Sequence, residues 1–287
     1  MLDIRHILFP VDFSDRCSAS AARVAHMAEK FHARVTMLHV MHLVPSWYNE
    51  LSAEAFASMV DSEALTRERR AALEDYLRYP QELCSAWRVV VEGEPGRVIP
   101  EFAANEKVDL IMMPTHGHGP FRRLLLGSVT AKVLHDAECP VWTDVHAEQS
   151  YASQECRLLL CAVDLRQQDV RAIRWAADYA AALQSPLKLV HVIPAIEGPE
   201  PPGEVAFRRY LVEHARQEIA RLQGEAGTNA ELIIEGGKIA QTVNDIALKN
   251  KADLIVIGQG SMHEALGRLR SNAYAIIREA PCPVVRV

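Results

Sequence analysis

His6-Ile7-Leu8-Phe9-Pro10-Val11-Asp12-Phe13 returns later in the chain as Leu158-Leu159-Leu160-Cys161-Ala162-Val163-Asp164-Leu165. Both are short apolar runs that end on an aspartate. Working outward, Leu38-His39-Val40 is matched by Val190-His191-Val192. Val108-Asp109-Leu110-Ile111-Met112-Met113 is matched by Ala252-Asp253-Leu254-Ile255-Val256-Ile257, and Cys139-Pro140-Val141 by Cys282-Pro283-Val284. Blocks in the same order, separated by loops of slightly different length, mark a duplicated domain rather than a solenoid of short repeats. The 287 residues suit two domains better than one. We expect one over residues 1–146 and a second over 156–287, with the polar stretch HAEQSYASQE at 146–155 as linker.

Within each copy, apolar runs alternate with helical spacing. The first half reads as a strand at 5–11 and a helix capped by Ser14, whose buried stripe is Ala21, Ala25, Ala28 and Phe31. A strand at 35–40 and a long polar helical segment over Glu50–Tyr79 follow. Next come a strand at 87–91, a helix at 96–106, a strand at 109–113, a helix at 127–136 and a strand at 141–143. Ile173, Ala177, Ala180 and Leu183 repeat the stripe in the second half. The pattern βαβαβαβαβ, twice, predicts an α/β protein of two tandem doubly wound, Rossmann-like open parallel sheets of five strands, with right-handed crossovers. Such sheets bind ligands beyond the carboxyl ends of their strands, at the topological switch point. That rule brings Asp12, Val40 and the loop after Met113 to one rim.

Composition removes several function classes. Hydrophobic residues at 49% and charged residues at 24% are globular values. A net charge of -6 offers no basic field for nucleic acid or an anionic membrane. No apolar run is long enough to span a bilayer. We therefore expect no nucleic-acid partner and no membrane. The six cysteines form no CxxC pair, and the N-terminus lacks a signal-like run, which predicts reduced, mostly core thiols in a cytoplasmic protein. No Cys/His cluster has structural-zinc spacing and no Ser/His/Asp set suggests itself, so neither metal ligands nor catalytic residues are assigned. His116 and His118 are read as solvent-exposed loop side chains.

The loop Pro114-Thr115-His116-Gly117, continuing to Gly127-Ser128-Val129-Thr130, leaves a strand and enters a helix. A helix N-terminus presents free N–H groups and partial positive charge to phosphate oxygens. Gly117 and Gly127 permit close backbone approach. Ser128 and Thr130 add hydroxyl donors, and Arg122 and Arg123 add charge-assisted contacts. The loop is neither a Walker A sequence nor GxGxxG. An ordinary βα loop with a serine at the helix start remains the alternative.

ILFPVDFS, VDLIMMPTHGHGPFRRLLLGSVTAKVL and the closing CPV each have a partner in the second half. With these segments the chain resembles the universal stress proteins, in the tandem form with two such domains. The resemblance covers nearly the whole chain. It implies an adenine nucleotide alpha hydrolase-like fold, a stress-response regulatory role, ATP as ligand with Mg²⁺ as companion ion, and at most slow ATP hydrolysis. The family signature Gly-x2-Gly-x9-Gly-Ser/Thr reads here Pro114-x2-Gly117-x9-Gly127-Ser128, and so departs at Pro114, which lacks an N–H and fixes φ. By resemblance, Asp12 and Val40 hold the adenosine, beside Pro10, Val11, Met113 and Pro114. Gly117, Gly127, Ser128 and Val129, with Thr130, match the phosphate loop. The second-half equivalents are Asp164, Val192 and Gly258. There Ser261 replaces the second glycine and Ala162 the proline, so nucleotide is expected mainly in the first half. In single-domain relatives the terminal strand pairs with its twin. The resemblance thus implies that Cys139–Asp144 and Cys282–Val287 pair within the chain as a pseudo-two-fold unit, with a homodimer also open. A reading from another class keeps the fold and drops the nucleotide: an interaction or scaffold protein acting through its surfaces.

Overall fold

A computed structural model describes residues 2–42, 61–77, 83, 85–116, 126–145, 156–195, 204–259 and 269–287. Contacts divide the chain into two compact units, one built on Asp3–Trp142 and the other on Gln154–Val287 with Thr143–His146.

The N-terminal unit runs β1 (His6–Pro10), α1 (Asp15–Phe31), β2 (Arg34–Met41), α2 (Ser62–Asp75), β3 (Trp87–Glu92), α3 (Pro95–Asn105), β4 (Leu110–Pro114), α4 (Ser128–Asp136) and β5 (Val141–Asp144). Its strand order is β3-β2-β1-β4-β5. β1 pairs in parallel with β2 and β4, and β2 with β3. The order reverses between β1 and β4, which is the switch point. Every residue of β1 and β4 is buried, as a sheet covered on both faces requires.

The C-terminal unit repeats the plan with β6 (Leu159–Ala162), α5 (Asp169–Leu183), β7 (Leu187–Pro194), α6 (Glu204–Ala226), β8 (Glu231–Gly237), α7 (Ile239–Asn250), β9 (Leu254–Ile257), α8 (Leu269–Glu279) and β10 (Val284–Arg286). Its order is β8-β7-β6-β9-β10, and these neighbours pair in parallel. The expected fold class therefore holds in both halves.

Local chemistry sets most element ends. Ser14 caps α1, its Oγ accepting from Cys17 N at 3.2 Å, and Ala21, Ala25 and Ala28 of the expected stripe are buried while Phe31, at the helix end, is only partly so. The equivalent stripe on α5 needs correction. Ile173 and Ala180 are buried, but Ala177 and Leu183 are only partly so. The buried face is completed by Ala172, Ala176 and Tyr179, because Trp175 and Tyr179 stack (5.0 Å, 8° between planes) and claim the inner side.

The long segment expected over Glu50–Tyr79 is helical at Ser62–Asp75, where Asp61 Oδ1 accepts from Ala64 N at 2.9 Å. Phe56, Met59 and Val60 lie outside the described residues. Leu73 is the buried side chain of α2. Arg88 of β3 ties down the end of this helix, donating from Nε to Leu73 O at 2.9 Å and from Nη2 to Tyr76 O at 3.4 Å and Leu83 O at 3.2 Å. After β3, Gly93 adopts φ +150°, and a Cβ there would lie 2.6 Å from Val98 Cγ2, so the tight turn into α3 needs glycine. Of the described cysteines, Cys17, Cys161 and Cys282 are buried, Cys139 and Cys156 are partly exposed, and none is in a disulfide.

Candidate functional site

At the switch point of the N-terminal unit lies a cavity of about 310 Å³. Pro10, Val11 and Asp12 reach it from the end of β1, Val40 from β2, Met113 and Pro114 from β4, and Gly127, Ser128, Val129 and Thr130 from the start of α4. The cavity thus gathers all the first-half candidates that are described. Gly117 lies outside the described residues, as do His118, Arg122 and Arg123. The sequence reading missed Leu38 and His39 of β2 and Pro95 and Ile99 of α3, which complete the wall with His116. His39 carried a signal, since Leu38-His39-Val40 belongs to the repeat. Ile99 carried none beyond its helical spacing.

The acidic end is a rigid corner. Asp12 Oδ1 accepts from Ser14 N at 2.9 Å and from Ser14 Oγ at 2.6 Å. Between them Phe13 sits at φ +61°, a left-handed conformation unfavourable for a bulky side chain. Its ring is held against His39 (centroids 4.7 Å apart) and edge-on to Tyr76 (5.1 Å). Val11 N donates to Leu38 O at 2.8 Å, and His39 Nδ1 donates to Val11 O at 2.7 Å. A carbonyl only accepts, so the Nδ1 atom carries the proton. Burial pulls the His39 pKa below its ordinary value, and Arg69 pushes the same way, against the Val11 carbonyl and Asp12.

At the other end the chain leaves β4 and returns as α4. Gly127 N donates to Thr115 O at 3.0 Å, closing the loop. Gly127 has φ -60°, so its role is space: a Cβ would lie 3.2 Å from Thr115 O. No side chain caps α4. Two expectations are corrected here. Thr130 Oγ1 donates to Pro114 O at 3.3 Å, so its proton is committed to the strand end and it is an acceptor toward the cavity. His116 is buried, only 4% exposed, held in the cavity wall with Nδ1 2.9 Å from Thr115 Oγ1. Ser128 is exposed at the first turn of α4.

The C-terminal unit has its own cavity, about 250 Å³, lined by Asp164, Val192 and Gly258. The corner is copied closely. Val163 N donates to Val190 O at 2.9 Å, His191 Nδ1 donates to Val163 O at 2.9 Å, and Leu165 has φ +67°. The chemistry differs five residues after the aspartate, where Cys17 of the first half becomes Asp169. Asp169 is 2% exposed and lines the cavity. Its Oδ2 accepts from Asp164 N at 2.9 Å and Arg166 N at 3.0 Å, while Arg166 Nε is 3.1 Å from Asp164 Oδ2. Burial first, and then the neighbouring Asp164 carboxylate, push the Asp169 pKa up to about 7. Sequence reasoning missed Asp169, since nothing flags an aspartate opposite a cysteine in a repeat. Ser261 lies outside the described residues.

The family model described as the Universal stress protein family matches residues 3–144 and again residues 156–287. Universal stress protein MJ0531 of Methanocaldococcus jannaschii is 34% identical over 142 residues, spanning 48% of this chain and 79% of that protein. The Thermus aquaticus universal stress protein in the QAH/OAS sulfhydrylase 3′ region is 32% identical over 136 residues, 47% of this chain and 94% of its own. Among solved structures, a universal stress protein from Archaeoglobus fulgidus superposes with a TM-score of 0.62 at 20% identity, covering 99% of this chain and 96% of that one. At that identity the likeness shows a shared fold.

Proposed function

The chain belongs to the universal stress protein family, and from that premise we propose that its N-terminal unit binds ATP in the cavity between Asp12 and the start of α4 and acts as a stress-response regulatory module. One observation carries this reading: three complementary surfaces meet in a single cavity at the switch point. Val11, Val40, Ile99 and Met113 give apolar walls suited to a purine. Asp12 gives a carboxylate suited to ribose hydroxyls. The first turn of α4, with no side-chain cap, gives N–H groups suited to phosphate oxygens.

Pro114 is compatible with this arrangement. The donors it relies on are the α4 amides and the Ser128 hydroxyl, and the Pro114 carbonyl is already engaged by Thr130. No group of three His, Cys, Asp or Glu side chains among the described residues is placed to hold a metal. In this reading Mg²⁺ is carried by the phosphates themselves. The C-terminal cavity, with two carboxyl groups on its wall, is a poorer match to a phosphate ester.

The test is the nucleotide content of the freshly purified protein, released by denaturation and separated by ion exchange. We expect one adenine nucleotide per chain, and its loss in Gly127→Val, where a branched side chain would press on Thr115 O. Melting temperature separates loss of the site from loss of the fold. No nucleotide in the parent chain, with no heat on adding Mg-ATP, would leave the interaction protein of the same fold as the better account. Two per chain would extend the assignment to the C-terminal cavity.

A further inference from the structure

We infer that the N-terminal site takes a nucleotide bearing a second phosphate on the ribose, at the 2′ or 3′ position, and that Arg69 recognises it. The inference rests on the nucleotide reading of the adjoining cavity. A second, more open cavity of about 450 Å³ shares Asp12, His39 and Val40 with the first. These three residues form a partition with space on both sides.

Beyond the partition the lining includes a guanidinium. Arg69 comes from α2, and His42 follows β2. Asp12 is the one acidic lining residue among those described, and its Oδ1 is occupied by the two Ser14 donors. Arg69 is partly buried. Its charge reaches the partition, because it helps to hold down the pKa of His39. The Arg88 contacts at the end of α2 hold that helix against β3.

Orientation follows from the partition. If Asp12 accepts ribose hydroxyls from one side and the 5′-phosphates lie at α4, a substituent on the 2′ or 3′ oxygen projects past Asp12 toward Arg69. A guanidinium suits a phosphate there because it donates two parallel N–H groups.

The experiment is calorimetric titration of the full chain with AMP, ADP, adenosine 3′,5′-bisphosphate and adenosine 2′,5′-bisphosphate. ADP and the bisphosphates carry equal numbers of phosphates in different places. We expect one bisphosphate to bind about tenfold tighter than AMP, beyond any gain seen with ADP. Which isomer does so identifies the ribose oxygen. Arg69→Gln should bring that ratio to about one, and Arg69→Lys should keep part of the preference; circular dichroism checks that each variant folds. Equal binding of bisphosphate and AMP, or a preference that survives Arg69→Gln, would overturn this inference and leave the nucleotide reading standing. Binding of none of the four would overturn both.

Discussion

Asp12 and Asp169 each fasten the backbone corner of their own unit, yet they do so differently. Asp12 spends Oδ1 on fixing Ser14, which in turn caps α1, so the candidate ligand group and the helix start are one hydrogen-bonded unit. Asp169 reaches back and fixes the corner from inside the helix. Its folded pKa lies above the ordinary aspartate value, so the folded unit favours the protonated form. The stabilisation is complete below the ordinary value and is lost as pH rises through about 7. Asp169→Asn keeps an oxygen to accept from Asp164 N and Arg166 N but removes the proton. Between about pH 4 and about pH 7 the parent chain should therefore lose C-terminal-unit stability relative to this variant, as read by urea unfolding. Parallel curves would contradict the burial argument. No residue pattern announced this carboxyl, because its property comes from the surroundings that folding supplies.

The strands were the most legible elements. Buried on both faces, they appear as near-continuous apolar runs, and the ends read from the sequence fall within a residue of those observed in the N-terminal unit. Helices were legible where a small-residue stripe faces the sheet, as on α1. They were less so where large rings decide the buried face, as Trp175 and Tyr179 do on α5. Helix α2 was the least legible, being polar along most of its length and anchored by Leu73 and by a residue from β3. The Arg88 guanidinium donates to carbonyls at and beyond the end of α2, where partial negative charge gathers. Arg88→Met should release that end: the last-turn amides of α2 should exchange with solvent at least tenfold faster, an opening cheaper by about 1.4 kcal/mol. The strands of the same unit should keep their protection. Of the site, Asp12, Val40 and Gly127 were readable because they close strands or open a helix. Pro95 and Ile99 arrive from α3, and only the fold shows that this helix borders the cavity.

Across the whole chain, duplication was the clearest message of the sequence. The two units share strand order, the parallel pairing of β1 with β2 and β6 with β7, the left-handed residue after the aspartate and the histidine that ties two strand tips. In the C-terminal unit, β10 is short and ends the strand order, yet its residues are buried. Val284, Val285 and Val287 are buried, and Val287 N donates to Ile257 O at 3.0 Å. Burying each valine contributes about 1.5 kcal/mol or more, so deletion of Val284–Val287 removes a large part of a typical domain stability. The shortened chain should melt well below the parent by near-ultraviolet circular dichroism, and an unchanged melting curve would count against that role. The cysteines carry a practical consequence. Cys17, whose Sγ donates to Pro10 O beneath one cavity, has its thiol pushed up to about 12 by burial, and buried Cys161, next to Ala162 of the other cavity, is shifted the same way. Neither will react with an alkylating dye until its own unit opens, whereas Cys139 and Cys156 are partly accessible from the outset. Labelling kinetics, resolved by peptide mapping, would therefore give each half of the molecule its own built-in clock for opening, without any mutation.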